Sequence, residues 1–141
     1  MKRIGSAVWN GGIKTGDGKV STESGVLDGV PYSFAKRFGD AKGSNPEELI
    51  GAAHAACFSM ALSGVLDAQE MTAEEIATSA AVSVVPVEGG FAITEVHLTV
   101  KARIPGGDAA KFQAAAEQAK AGCPVSKVLN AKITMEASLV A

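Results

Sequence analysis

The chain has 141 residues and a mass of 14.3 kDa, the size of one domain. Hydrophobic residues make up 47% and charged residues 20%, which excludes a disordered chain. The net charge is −2 and no Lys/Arg cluster stands out, so the electrostatic footprint of a nucleic-acid binder is absent.

The start Met1-Lys2-Arg3-Ile4 is basic but no apolar run follows it. No secretory signal is expected, and the expected compartment is the cytosol. In residues 1–38, Ile4, Ser6 and Val8 alternate with Arg3, Gly5 and Ala7, and 19–24 and 30–35 read as two more strands. Asn10-Gly11-Gly12 and Asp28-Gly29 mark the turns of a three-stranded meander. Arg37 then stands just past the third strand, where a charge is ordinarily a solvated one.

A helix follows with a clear start. Asn45 is a good N-cap, Pro46 fits the first helical position, and Glu48 completes a capping box. Glu47 sits where a carboxylate complements the helix dipole. Residues 49–66 are apolar enough to suggest a membrane span, but they include His54, Ser59, Ser63, two glycines and five alanines. A core helix buried on most faces is the expectation, with no membrane partner.

Residues 79–104 return to strand character as a hairpin, 81–87 and 91–100, around Glu88-Gly89-Gly90. Asp108 caps a second helix running to Lys120 and ended by Gly122; 124–129 reads as a short third helix and 131–140 as a last strand. The expected order is β-β-β-α-β-β-α-α-β, an α+β fold.

Two cysteines, Cys57 and Cys123, are too few for a secreted disulfide scaffold, so they are inert core residues or redox-active. Cys57 lies mid-helix beside Ala55, Ala56 and Phe58, where burial would raise its pKa. His54, one turn earlier, offers it a partner or a shared metal, but structural zinc wants four ligands and only His97 remains. Cys123 stands between Gly122 and Pro124 at the N-cap of the short helix, where backbone N–H groups and the dipole favour a thiolate. Judged locally, Cys123 is the more acidic thiol.

The stretch Gly43-Ser44-Asn45-Pro46-Glu47-Glu48-Leu49-Ile50-Gly51-Ala52-Ala53-His54-Ala55-Ala56-Cys57-Phe58-Ser59-Met60-Ala61-Leu62 closely resembles the first signature of the OsmC/Ohr family, the osmotically inducible and organic hydroperoxide resistance proteins. Ala121-Gly122-Cys123-Pro124-Val125-Ser126-Lys127-Val128-Leu129 resembles the second, and Glu-Leu-Ile-Gly-Ala-Ala-His looks like the OsmC branch. The resemblance covers essentially the whole chain as a single OsmC-like domain. It implies a peroxidase that uses thiols and no metal or other cofactor. It makes Cys57 the peroxidatic cysteine, Cys123 the resolving one, Arg37 the cation that stabilises the thiolate, and Glu47 the carboxylate that holds Arg37. It further implies an organic hydroperoxide as substrate and an external dithiol, lipoyl groups, as reductant. The apolar helix around Cys57, with Phe58 and Met60, would then receive a greasy peroxide tail.

Helix geometry adds a consequence. Glu47 and Cys57 are ten residues apart on one expected helix, about 15 Å along its axis, which no Glu side chain spans. If both serve one site, Glu47 comes from a second chain, and Arg37 with it, which implies an intertwined homodimer with the central helices in contact. Two rival readings use the same residues: a thiol–disulfide redox sensor without turnover, and a ligand-binding stress protein whose cysteines are core residues. Against the sensor, there is no C-x-x-C motif.

Overall fold

The computed structural model describes residues 1–140. The chain forms two compact units, Met1–Leu49 and Ile50–Ala141. The first contains the meander: β1 (Gly5–Asn10), β2 (Asp17–Thr22) and β3 (Val30–Tyr32), antiparallel in the order β1-β2-β3, with Val8 opposite Lys19 and Val20 opposite Val30. The third strand is shorter than its sequence suggests. At Ser33 the side chain accepts a hydrogen bond from the Lys36 N–H and starts a one-turn helix, α1 (Phe34–Phe38). A serine cap thus overrides the strand preference of Phe34, and Arg37 stands in the last turn of a helix rather than at a strand end. The expected order gains one element, β-β-β-α-α-β-β-α-α-β.

This first unit has no apolar core of its own. Among the described residues, no large hydrophobic side chain of residues 1–49 is buried, and Ile4, Val8, Ile13 and Val26 are exposed. A small sheet without a buried apolar face is marginally stable by itself.

The second unit is built on a three-stranded sheet in the order β4-β5-β6. β4 (Glu75–Val87) and β5 (Gly90–Arg103) form the expected hairpin, and β6 (Lys132–Val140) runs parallel to β5. The parallel pair requires a crossover, supplied by α3 (Ala109–Gly122) and α4 (Pro124–Val128). The period-two pattern holds along β5: Val96, Leu98, Val100 and Ala102 are buried, while the intervening His97, Thr99 and Lys101 face the other way. Asp108 caps α3 through the Lys111 N–H at 2.9 Å, and Phe112, Ala115, Ala116 and Ala119 bury its inner face.

α2 (Pro46–Asp67) is the central helix. Asn45 Oδ1 accepts from the Glu48 N–H at 2.8 Å, as the cap signal implies. By length and composition α2 could cross a membrane. Its inner stripe instead builds protein core: Gly51, His54, Phe58, Leu62 and Leu66, spaced by three and four residues, are all buried. The rest of the helix departs from expectation. Ala52, Ala53, Ala56 and Met60 form an exposed apolar face, with Met60 at 81% exposure. Uniform hydropathy arises because alanine fills both faces, but one copy of the chain covers only one of them.

Gly51 marks a close approach of helix to sheet. A Cβ there would lie 2.9 Å from the Ala80 carbonyl oxygen. Gly51→Ala would contribute about 1 kcal/mol through helix propensity. Overpacking against backbone costs about 1–3 kcal/mol, so the clash is expected to win. The urea midpoint of Gly51→Ala should therefore fall, whereas Gly64→Ala, in open space, should raise it.

Candidate active site

Cys57 projects from α2 beside the buried Phe58 and is itself half-buried; Cys123 is fully buried. Both are free thiols, and their sulfurs lie 3.1 Å apart although 66 residues separate them in sequence. One residue joins two helices at this point. The Cys123 N–H closes α3 on the Ala119 carbonyl at 2.9 Å, and its Sγ caps α4 by accepting from the Ser126 N–H at 3.5 Å. Pro124 at the first position of α4 needs no partner there. The first turn of α4 therefore aims its free N–H groups at both sulfurs, Ser126 at Cys123 and Val125 at Cys57.

The two thiols respond differently. Burial pushes the Cys57 thiol up, and the Val125 N–H only partly opposes it. Burial acts on Cys123 in the same direction, but the Ser126 N–H, the Cys57 sulfur and the Ser126 hydroxyl outweigh it and hold Cys123 below the ordinary thiol value. The cap position thus makes Cys123 the more acidic thiol, as its sequence context suggests. Among the described residues of this unit, no cation acts to lower the Cys57 pKa.

Behind the cysteines lies a polar group that sequence reasoning missed in this role. His54 is fully buried on the inner stripe of α2, and its Nε2 is 2.7 Å from Ser126 Oγ. Burial lowers its pKa, so it is neutral at pH 7. The signal was present in the paired i, i+3 spacings, His54 with Cys57 and Cys123 with Ser126.

The other two expected site residues meet in the first unit. Arg37 Nη2 contacts Glu47 Oε1 at 2.8 Å, and Arg37 Nε lies 3.2 and 3.3 Å from the two carboxylate oxygens. α1 presents the guanidinium edge-on to a carboxylate in the first turn of α2, and this fork geometry is one lysine could not reproduce. Glu47 is 7% exposed, far from the solvated dipole partner its position would suggest. The Phe38 ring lies 5.0 Å below the guanidinium. Beside it opens a cavity of about 310 Å³ lined by Trp9, Ile13, Tyr32, Phe34, Arg37 and Phe38. Gly18 leaves room for two of the lining rings, since a Cβ there would strike Tyr32 and Trp9 at 2.5–2.8 Å.

The expected apolar wall at Cys57 needs correction. Phe58 is 0% exposed and belongs to the core, because it occupies the inner stripe one residue round the helix from Cys57. It cannot face a substrate. Met60 is exposed on the outer face of α2.

Residues 39–138 match the family model described as OsmC-like protein. The chain is 56% identical to Peroxiredoxin OsmC of Escherichia coli (strain K12) over 139 residues, covering 99% of this chain and 97% of that protein. It is 29% identical to an organic hydroperoxide resistance protein of Xanthomonas axonopodis pv. citri (strain 306), covering 87% and 86% of the two chains. Among solved structures, an organic hydroperoxide resistance protein from Elizabethkingia anophelis matches with a TM-score of 0.74 at 28% identity, covering 99% of each chain. The organic hydroperoxide resistance protein OhrB of Bacillus subtilis matches with a TM-score of 0.71 at 27% identity, covering 96% of this chain and 98% of that one.

Proposed function

This chain belongs to the OsmC-like protein family, and on that premise we propose that it is a hydroperoxide-detoxifying peroxidase in which Cys57 reduces organic hydroperoxides and Cys123 resolves the product. The observation that carries the mechanism is the 3.1 Å contact between two free thiols. The Cys57 thiolate attacks the terminal oxygen of ROOH. An S–O bond forms, the O–O bond breaks, and ROH leaves after taking up a proton. The Cys123 thiolate then attacks the Cys57 sulfur. The S–S bond forms as the S–O bond breaks, and hydroxide departs as water on protonation. At 3.1 Å the resolving step needs little motion. An external dithiol restores both thiols by exchange, and lipoyl groups are our assignment for it. We place the reaction in the cytosol.

The lower pKa of Cys123 favours the reverse assignment, with Cys123 as the attacking thiol. Exposure supports Cys57 instead: Cys123 is 0% exposed while Cys57 is only half-buried and so is the more accessible to a peroxide. What Cys57 lacks is a cation, and the Arg37–Glu47 pair of a second chain would supply it. Helix rise places Glu47 about 15 Å along the axis of α2 from Cys57 of its own chain. Two features support a second copy: the exposed apolar face of α2, and a first unit with no apolar core. We therefore propose an intertwined two-fold homodimer in which Cys57 and Cys123 of one chain meet Arg37 and Glu47 of the other.

The cavity beside Arg37 would arrive with that residue and provide the apolar wall that Phe58 cannot. Its aromatic lining suits a bulky tail, and burying about 100 Å² of apolar surface, tail and wall together, would contribute about 2.5 kcal/mol, or roughly 60-fold. With a dithiol as reductant, kcat/KM for cumene hydroperoxide should exceed that for hydrogen peroxide by at least about tenfold. A preference for hydrogen peroxide would contradict the reading. Stoichiometric oxidation without turnover would mark a redox sensor, and no oxidation a binding protein.

A further inference from the structure

The pair formed by buried His54 and half-buried Ser126 has no place in the steps above. Ser126 ties the sulfur site to His54. Its N–H lies 3.5 Å from Cys123 Sγ and its side-chain oxygen is 2.7 Å from His54 Nε2, while the same hydroxyl helps to hold the Cys123 thiol below its ordinary value. His54 Nδ1 is buried and has no hydrogen-bond partner among the described residues. A thiolate at the end of the chain sets its direction. For the Ser126 O–H to donate to a Cys123 thiolate, its oxygen must accept, and the donor in reach is His54 Nε2–H. The neutral ring then carries its one proton on Nε2, and Nδ1 is a bare lone pair rather than a stranded donor. Every link points its hydrogen toward the sulfur.

We propose that His54 and Ser126 form a donor chain, His54 Nε2–H to Ser126 Oγ–H to Cys123 Sγ, that holds Cys123 ready as the thiolate for disulfide formation. Ser126 bonds the reacting sulfur directly, and His54 is a positioning residue that acts through Ser126. The inference rests on Cys123 being the resolving thiol, but the chain itself does not depend on that role. From α2, Cys57 and His54 are the titratable groups set against Cys123, and Lys127 on α4 is exposed. The chain lets the second thiol ionise without a cation of its own.

The test separates the donor chain from the assignment of roles. In a Cys57→Ser background the only remaining thiol is Cys123, and its ionisation is followed by thiolate absorbance against pH. Adding Ser126→Ala should raise the midpoint by about one pH unit, the scale of one hydrogen bond to an ion. Ser126→Thr, which keeps the hydroxyl, should restore it. His54→Gln retains a donor near Nε2 and should stay close to the reference, whereas His54→Leu should shift upward. An unchanged midpoint in Ser126→Ala overturns the proposal, as does a rise in Ser126→Thr equal to that in Ser126→Ala. If His54→Leu unfolds, the Ser126 pair alone decides. In the otherwise intact chain, rapid mixing with cumene hydroperoxide should show Ser126→Ala slowing disulfide formation about tenfold, more than it slows peroxide consumption. If peroxide consumption is instead the step that slows, while the midpoint still shifts, the donor chain stands and the roles of the two cysteines are reversed.

Discussion

Cys57→Ser should reduce turnover of cumene hydroperoxide by at least about 10³-fold, to the background of the dithiol alone. The reason is chemical. A serine hydroxyl at the same place is neither ionised near pH 7 nor nucleophilic enough to displace an alkoxide from a peroxide. The fold should survive, since Cys57 is half-buried and serine is nearly isosteric. Cys123→Ser behaves differently. It should consume one equivalent of peroxide per chain at close to the normal rate and then stall. If Cys57→Ser keeps its activity while Cys123→Ser cannot react at all, the assignment of roles is wrong.

The second large effect is a recovery. Glu47→Ala leaves Arg37 without the carboxylate that holds it at 2.8 Å, so this homodimer should be severely impaired, as the Cys57→Ser homodimer is. On the proposed dimer, the two variants co-folded should form heterodimers. One site of each heterodimer then combines an intact Cys57 with an intact Glu47, and the other site lacks both. With random pairing from equal amounts, half the dimers are mixed and each has one good site, so activity should return to about a quarter of the unmodified enzyme. No recovery in verified heterodimers, or full activity in a monomer at assay concentration, would exclude a site shared between chains.

The helix start at Asn45-Pro46, the glycine-turn hairpin and the Cys123 cap were legible because each is fixed by residues within one or two turns. Ser33 misled for the same reason in reverse. Its flanks, Val30 to Tyr32 and Phe34, read as one strand, and a single side-chain bond to the Lys36 N–H redirects the chain into α1. The half-exposed state of α2 was invisible to hydropathy, since alanine-rich faces look alike whether or not anything covers them. The meeting of Cys57 and Cys123 across 66 residues was legible only through the resemblance to a family; no local pattern reports which strand order brings two helices together. His54 was weighed as a metal or cysteine partner, but its actual partner, Ser126, lies 72 residues away.

The central claim is that peroxide oxygen lands on Cys57. The most direct measurement treats Cys123→Ser with one equivalent of cumene hydroperoxide in the presence of a sulfenic-acid trap and maps the adduct by peptide mass spectrometry. The account predicts the adduct on Cys57 in near-stoichiometric yield, and in the unmodified chain a Cys57–Cys123 disulfide within one chain instead. No adduct on Cys57, with the unmodified chain trapping a sulfenic acid at Cys123, would contradict it.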